Sequence, residues 1–134
     1  MPLAIWLAIV AVVFGGYALV ASMLRETEQV FVFVDSSFRM EALNNEIIVE
    51  LDRIDERSDA EFALARGQDR GSELVHSWQP ELRWSTTPLF APCSFAEIDS
   101  FTEATDADER ILITTAGSCD TSALADWTVV ELTP

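Results

Sequence analysis

Residues 30–40 read VFVFVDSSFRM, an apolar run that ends in an aspartate, two serines and, after Phe38, an arginine. A carboxylate flanked by hydroxyls at the end of a strand is a donor set for a hard divalent cation, which takes oxygen ligands. Arg39 argues the other way, because its guanidinium is a fixed positive charge. The stretch is either a metal site or the remains of one. Other chemistry-bearing residues are sparse. His76 is the single histidine and falls inside an expected edge strand. Ser36 and Ser37 lack a G-x-S-x-G setting, and no C-x-x-C, phosphate-cradling glycine loop or H-E-x-x-H occurs. Glu50, Asp52, Asp55 and Glu56 cluster on an expected helix as its solvated face. Without a convergent set of catalytic groups, the expectation is a protein that is not an enzyme.

The elements around these residues follow from periodicity. VFVFVD (30–35) reads as a strand buried on both faces, as in a parallel sheet. Met40, Leu43, Ile47, Leu51 and Ile54 recur at spacings of 3, 4, 4 and 3, which predicts an amphipathic helix. AEFALAR (60–66) and SELVHSW (72–78), around the turn GQDRG (67–71), predict an antiparallel hairpin at a sheet edge. Its second strand is a candidate to run on through ELRWS, with Pro80 as a break or edge position. Ser94 to Glu97 matches a capping box, and Phe95, Ile98 and Phe101 then give a short helical face. ILIT (111–114) predicts another buried strand, DTSALADW (120–127) a short helix and TVVEL (128–132) a last strand. The order β-α-β-β-α-β-α-β argues for a three-layer α/β fold. Ligands of such sheets bind at the carboxyl ends of the strands, which here are the loops DSSFRM, STTPLFAPCS and TAGSCD. Trp78, Trp84 and Trp127 are expected in the core, and an exposed one would anchor an interface.

Residues 1–24 contain no charged side chain. At about 1.5 Å per residue such a run crosses the hydrocarbon core of a bilayer. A cleaved signal peptide is the competing reading, but no Lys or Arg precedes the run and no clear A-x-A site follows it. The expected organisation is a transmembrane helix over 1–24, a linker over 25–29 and one domain over 30–134. Ala4, Ala8, Ala11, Gly15, Ala18 and Ser22 form a stripe of small residues at alternating spacings of 4 and 3. In lipid, close backbone approach across small residues supplies helix packing, so the stripe predicts association with integral membrane proteins or with further copies of the chain. Arg25 has Glu26 and Glu28 beside it, so the positive-inside signal is silent. The net charge of −15, from 23 acidic side chains against eight arginines, excludes nucleic acid as a partner.

Taken together, DSSFRM, STTPLFAPCS and TAGSCD resemble the von Willebrand factor A family over roughly residues 29–134. In that family the first strand ends in D-x-S-x-S, a later loop supplies a threonine often followed by Pro-Leu, and the fourth strand ends in an aspartate before a glycine. Those groups ligate a divalent cation, usually Mg²⁺. The resemblance places Asp35 and Ser37 at the first two ligand positions and Thr87 at the threonine position. Arg39 stands where the third hydroxyl would be, and Thr115 and Ala116 precede Gly117 where the aspartate would be. It therefore implies a small Rossmann-like sheet with a degenerate metal site and no cofactor, Mg²⁺ entering only if that site still binds. It also implies that the loops carrying Cys93 and Cys119 approach each other. A disulfide between them would close a loop of roughly 25 residues, contribute about 2–4 kcal/mol and signal an oxidising, periplasmic or extracellular compartment; two free thiols are the alternative. Arg39, four residues after Asp35, is expected to fork onto its carboxylate in place of a cation. With the small-residue stripe of the membrane helix, the expected function is that of an accessory or assembly subunit of a membrane complex. The alternative is a metal-dependent adhesion or ligand-binding module.

Overall fold

The computed structural model describes residues 2–23, 27–68, 71–84, 95, 98–117, 119–122 and 124–133. Helix α1 (Pro2–Met23) is long and apolar enough to cross a membrane and is exposed along its described length. The same length and apolarity also suit a signal sequence. Strand β1 (Glu28–Val34) starts two residues inside the expected linker, because Gln29 and Glu28 are held by the neighbouring strand ends: Gln29 N–H donates to Asp108 Oδ2 and Glu28 N–H to the Asp59 carbonyl.

After β1 come a 3₁₀ helix (Phe38–Leu43), α2 (Asn44–Asp55), β2 (Ala60–Gln68) and β3 (Gly71–Gln79). A 3₁₀ turn (Ile98–Ser100), α3 (Thr102–Asp106), β4 (Glu109–Thr115) and β5 (Thr128–Leu132) complete the order. The described strands form one mixed sheet in the order β3-β2-β1-β4-β5. β1 pairs parallel with β2 and β4, β4 pairs parallel with β5, and β3 runs antiparallel at the edge beside β2. A central parallel strand must be apolar on both sides. Accordingly Val30, Phe31, Val32, Phe33 and Val34 are all buried.

Alternation along β1 divides the core. Val30, Val32 and Val34 pack with Met40, Leu43, Ile47, Leu51 and Ile54 of the first helical layer. Phe31 and Phe33 face Ile98, Phe101, Ala104 and Trp127 on the other side. The predicted apolar spacing of 40–54 is therefore correct as a face, but its first turn is 3₁₀ rather than α. The β3 strand stops before Pro80 and does not continue into ELRWS.

Two expected helices differ from the structure. Ser94 and Glu97, the two ends of the capping box, fall outside the described residues, and the helix it would start is split into the 3₁₀ turn and α3, with extended Phe101 between them (φ −71°, ψ 134°). The residues described in 120–127 make successive tight turns rather than an α-helix, with Leu124 N–H donating to Thr121 O and Trp127 N–H to Leu124 O. Asp120 Oδ1 captures Ser122 N–H, a local bond that competes with helix formation. The bond holds the exposed Asp120 carboxyl below its ordinary value of 3.8. Its small contribution is present above that value and is lost as pH falls through the lowered one.

Leu124 and Trp127 are both buried in the core cluster of Phe31 and Phe33, with the Trp127 ring edge-on to Phe31. Trp127 Nε1 donates to Asp99 Oδ1 at 3.0 Å. Trp127→Phe keeps most of the ring volume but removes that hydrogen bond from the exposed Asp99. We expect a loss of about 1 kcal/mol, read from the thermal unfolding midpoint of the full chain in mild detergent.

Candidate functional site at the carboxyl ends of β1 and β4

The crossover that follows β1, through α2, covers one face of the sheet, and Leu124 and Trp127, which follow β4, pack on the other with α3. The chain thus leaves β1 and β4 toward opposite faces, and the crevice where ligands of open α/β sheets bind lies at the carboxyl ends of these two strands. Asp35, the first residue beyond β1, stands there and is 3% exposed. Its N–H donates to Ile113 O, which carries the strand ladder one residue past β1.

The Asp35 side chain does two structural tasks. Oδ1 accepts Ser37 N–H at 2.9 Å, an Asx-type turn that swings the chain from β1 into the 3₁₀ helix. Oδ2 accepts the Thr114 hydroxyl at 2.7 Å, which ties the end of β1 to the end of β4. Ser37 and Thr114 are buried with it. An aspartate at this depth needs such donors, since an unpaired buried carboxylate is costly.

The family resemblance points to Thr115, and the structure brings Thr114 to Asp35. The register explains the difference. Val34 lies opposite Ile113, so the next pair along the same ladder is Asp35 and Thr114. Thr115 points to the other face and donates to Leu132 O at 2.8 Å, bracing β4 against β5. The parity of ILITT relative to VFVFVD carried this signal, because residues two apart in a strand share a face.

Arg39 does not fork onto Asp35, and no ion pair joins them. The Phe38–Leu43 segment is a 3₁₀ helix that buries Met40 and Leu43. With three residues per turn, this sends Arg39 outward, where it is exposed. Its guanidinium lies instead over the TAG loop: a methyl group on Gly117 would sit 3.4 Å from Arg39 Nη1. Gly117 has φ +73°, a left-handed conformation that favours glycine.

A Mg²⁺-type cation demands a near-octahedral oxygen set. Both Asp35 oxygens accept hydrogen bonds inside the fold, and the Thr115 hydroxyl is committed to Leu132. Among the described residues no three His, Cys, Asp or Glu side chains are grouped to hold a metal. Thr87 and Cys93 lie outside the described residues, as does the side chain of Ser22. Cys119 is disulfide-bonded.

No family model, curated protein or solved structure matches this chain. The resemblance to the von Willebrand A family therefore rests on the order of the three motifs.

Beside the crevice, between the 3₁₀ helix and the ends of β4 and β5, runs a groove of about 560 Å³ lined by Phe38, Arg39, Leu43, Ala116, Leu132 and Thr133 among others. Phe38 is 72% exposed at its lip. Sequence spacing gives Phe38 no role. The 3₁₀ helix that buries Met40 and Leu43 is what turns it out.

Proposed function

We propose that this chain is a non-enzymatic, single-pass membrane protein, an accessory or assembly subunit whose domain is a degenerate von Willebrand A-like binding module. The observation that carries this reading is the internal use of the Asp35 carboxylate by Ser37 and Thr114. A residue placed to ligate or catalyse at the mouth of the sheet serves instead to close it. The strand order β3-β2-β1-β4-β5 supports a Rossmann-like sheet, since 3-2-1-4-5 is the beginning of the doubly wound order. The uncharged α1 supports a retained anchor, and its stripe of small residues supports lateral contact with other membrane helices. The disulfide at Cys119 supports placement of the domain outside the cytoplasm, with Cys93 as partner, because such bonds persist in oxidising compartments.

The test is mild detergent extraction followed by size-exclusion chromatography. The wild-type chain is expected to elute with a membrane partner or as an oligomer. Ala11→Leu with Gly15→Leu, which widens the stripe, is expected to release it as a monomer. A wild-type chain that elutes alone as a monomer sinks the accessory reading. Titration with Mg²⁺ or Mn²⁺ addresses the domain separately: micromolar affinity abolished by Asp35→Asn would favour a metal-dependent adhesion module instead.

A further inference from the structure

We infer that the groove beside Phe38 and Arg39 docks a short polypeptide segment that presents one carboxylate next to an apolar side chain. The argument starts from charge. The chain carries 23 acidic side chains and eight arginines, and the described arginines other than Arg39 are engaged. Arg53 pairs with Glu50, Arg57 with Glu109 and Glu28, Arg66 with Glu73, and Arg83 with Glu81. Arg110 donates to the carbonyls of Ala104 and Thr105. Among the described arginines, Arg39 alone contacts neither a carboxylate nor a carbonyl.

The surroundings of Arg39 say what else the occupant carries. The 3₁₀ helix presents Phe38, 72% exposed, on the same groove. Leu43, Ala116 and Leu132 add apolar lining. An exposed phenyl ring beside a free guanidinium matches an apolar side chain beside an anion, and a guanidinium grips a carboxylate through two parallel hydrogen bonds. Glu41 also lines the groove. Like charge there disfavours a second adjacent carboxylate, so a singly acidic segment fits and a doubly acidic or phosphorylated one does not. Docking of this kind deepens the reading of the domain as a binding module and rests on it. It does not involve α1.

The experiment uses the full chain in mild detergent and a panel of short capped peptides. Each has a central Glu, Gln, Lys or Glu-Glu flanked by Leu and Phe, and binding is followed by fluorescence anisotropy. The Glu-centred peptide is expected to bind about tenfold tighter than its Gln isostere, the scale of one charge-assisted contact. Arg39→Gln is expected to erase that preference and Arg39→Lys to keep part of it. Phe38→Ala should weaken the Glu and Gln peptides alike, and Arg83→Gln, an exposed arginine elsewhere, should change nothing. Equal binding of Glu and Gln peptides, a preference that survives Arg39→Gln, or no binding by any peptide at millimolar concentration overturns the proposal. None of these outcomes alters the elution of the α1 variants, so failure of the groove and failure of the anchor reading are distinguishable.

Discussion

Phe31→Ala should cost about 3–5 kcal/mol, the range for removing a fully buried aromatic side chain. Phe31 has no exposed surface and joins three separate segments. Its ring centroid lies 5.8 Å from those of both Phe101 and Trp127, tilted against the first and edge-on to the second. Truncation therefore leaves a cavity and removes the geometry that locates the short α3 segment and the 121–127 turns on β1. Those segments have little of their own to hold them, since α3 has five residues and isolated helices of that length do not persist in water. Against a typical total stability of about 5–15 kcal/mol, the loss is large enough to populate the unfolded domain at ambient temperature. Near-ultraviolet circular dichroism of the full chain in mild detergent, followed through urea unfolding, measures it. Val49→Ala, at a position 68% exposed on α2, is the control and should stay within about 0.5 kcal/mol of wild type. A Phe31→Ala protein as stable as that control would show that the second core cluster does not hold the domain together.

The Asp35–Thr114 bond should account for the next largest effect. Asp35→Ala leaves the Thr114 hydroxyl and the Ser37 N–H without their acceptor in a buried site, at about 1–3 kcal/mol each. Thr114→Val keeps the shape of the side chain but takes a donor from a buried carboxylate, at a similar single cost. In the double variant the second loss is largely pre-empted. The pair should therefore be non-additive, with a coupling of about 0.5–3 kcal/mol. Thr115→Val is the informative comparison, because it cuts only the half-buried bond to Leu132 and should behave independently of Asp35. Additive effects of Asp35→Ala and Thr114→Val, or coupling of Asp35 to Thr115 instead, would contradict the register described for β1 and β4.

The sheet was legible because its strands are apolar runs with sharp polar ends. VFVFV, ILIT and TVVEL carried enough signal to place β1, β4 and β5, and the spacing from Met40 to Ile54 identified the face of α2. The short helical pieces were not legible, for a physical reason. Phe95, Ile98, Phe101 and Ala104 satisfy a helical spacing, but the extended Phe101 divides them. Asp120 likewise diverts its own neighbourhood into turns by accepting Ser122 N–H. At the site, Asp35 is bonded by Thr114 rather than by Thr115. Motif order pointed to Thr115, whereas side-chain alternation along two paired strands points to Thr114. For Arg39, sequence distance from Asp35 said nothing about direction. The 3₁₀ geometry, fixed by the burial of Met40 and Leu43, sends the guanidinium the other way.

The central position of β1 has a consequence for how the chain is made. Asp35 and Thr114, at the ends of adjacent strands, are 79 residues apart in sequence. At synthesis rates of about 5–20 residues per second, β1 waits on the order of 4–16 s for β4 to arrive. Through that interval VFVFV is an uncharged, β-branched and aromatic segment with one open edge, the kind of window that nucleates aggregation. Non-local pairing of this sort is also slow to form once the chain is complete. The strand that makes the finished core is thus a liability of the nascent chain until β4 pairs with it.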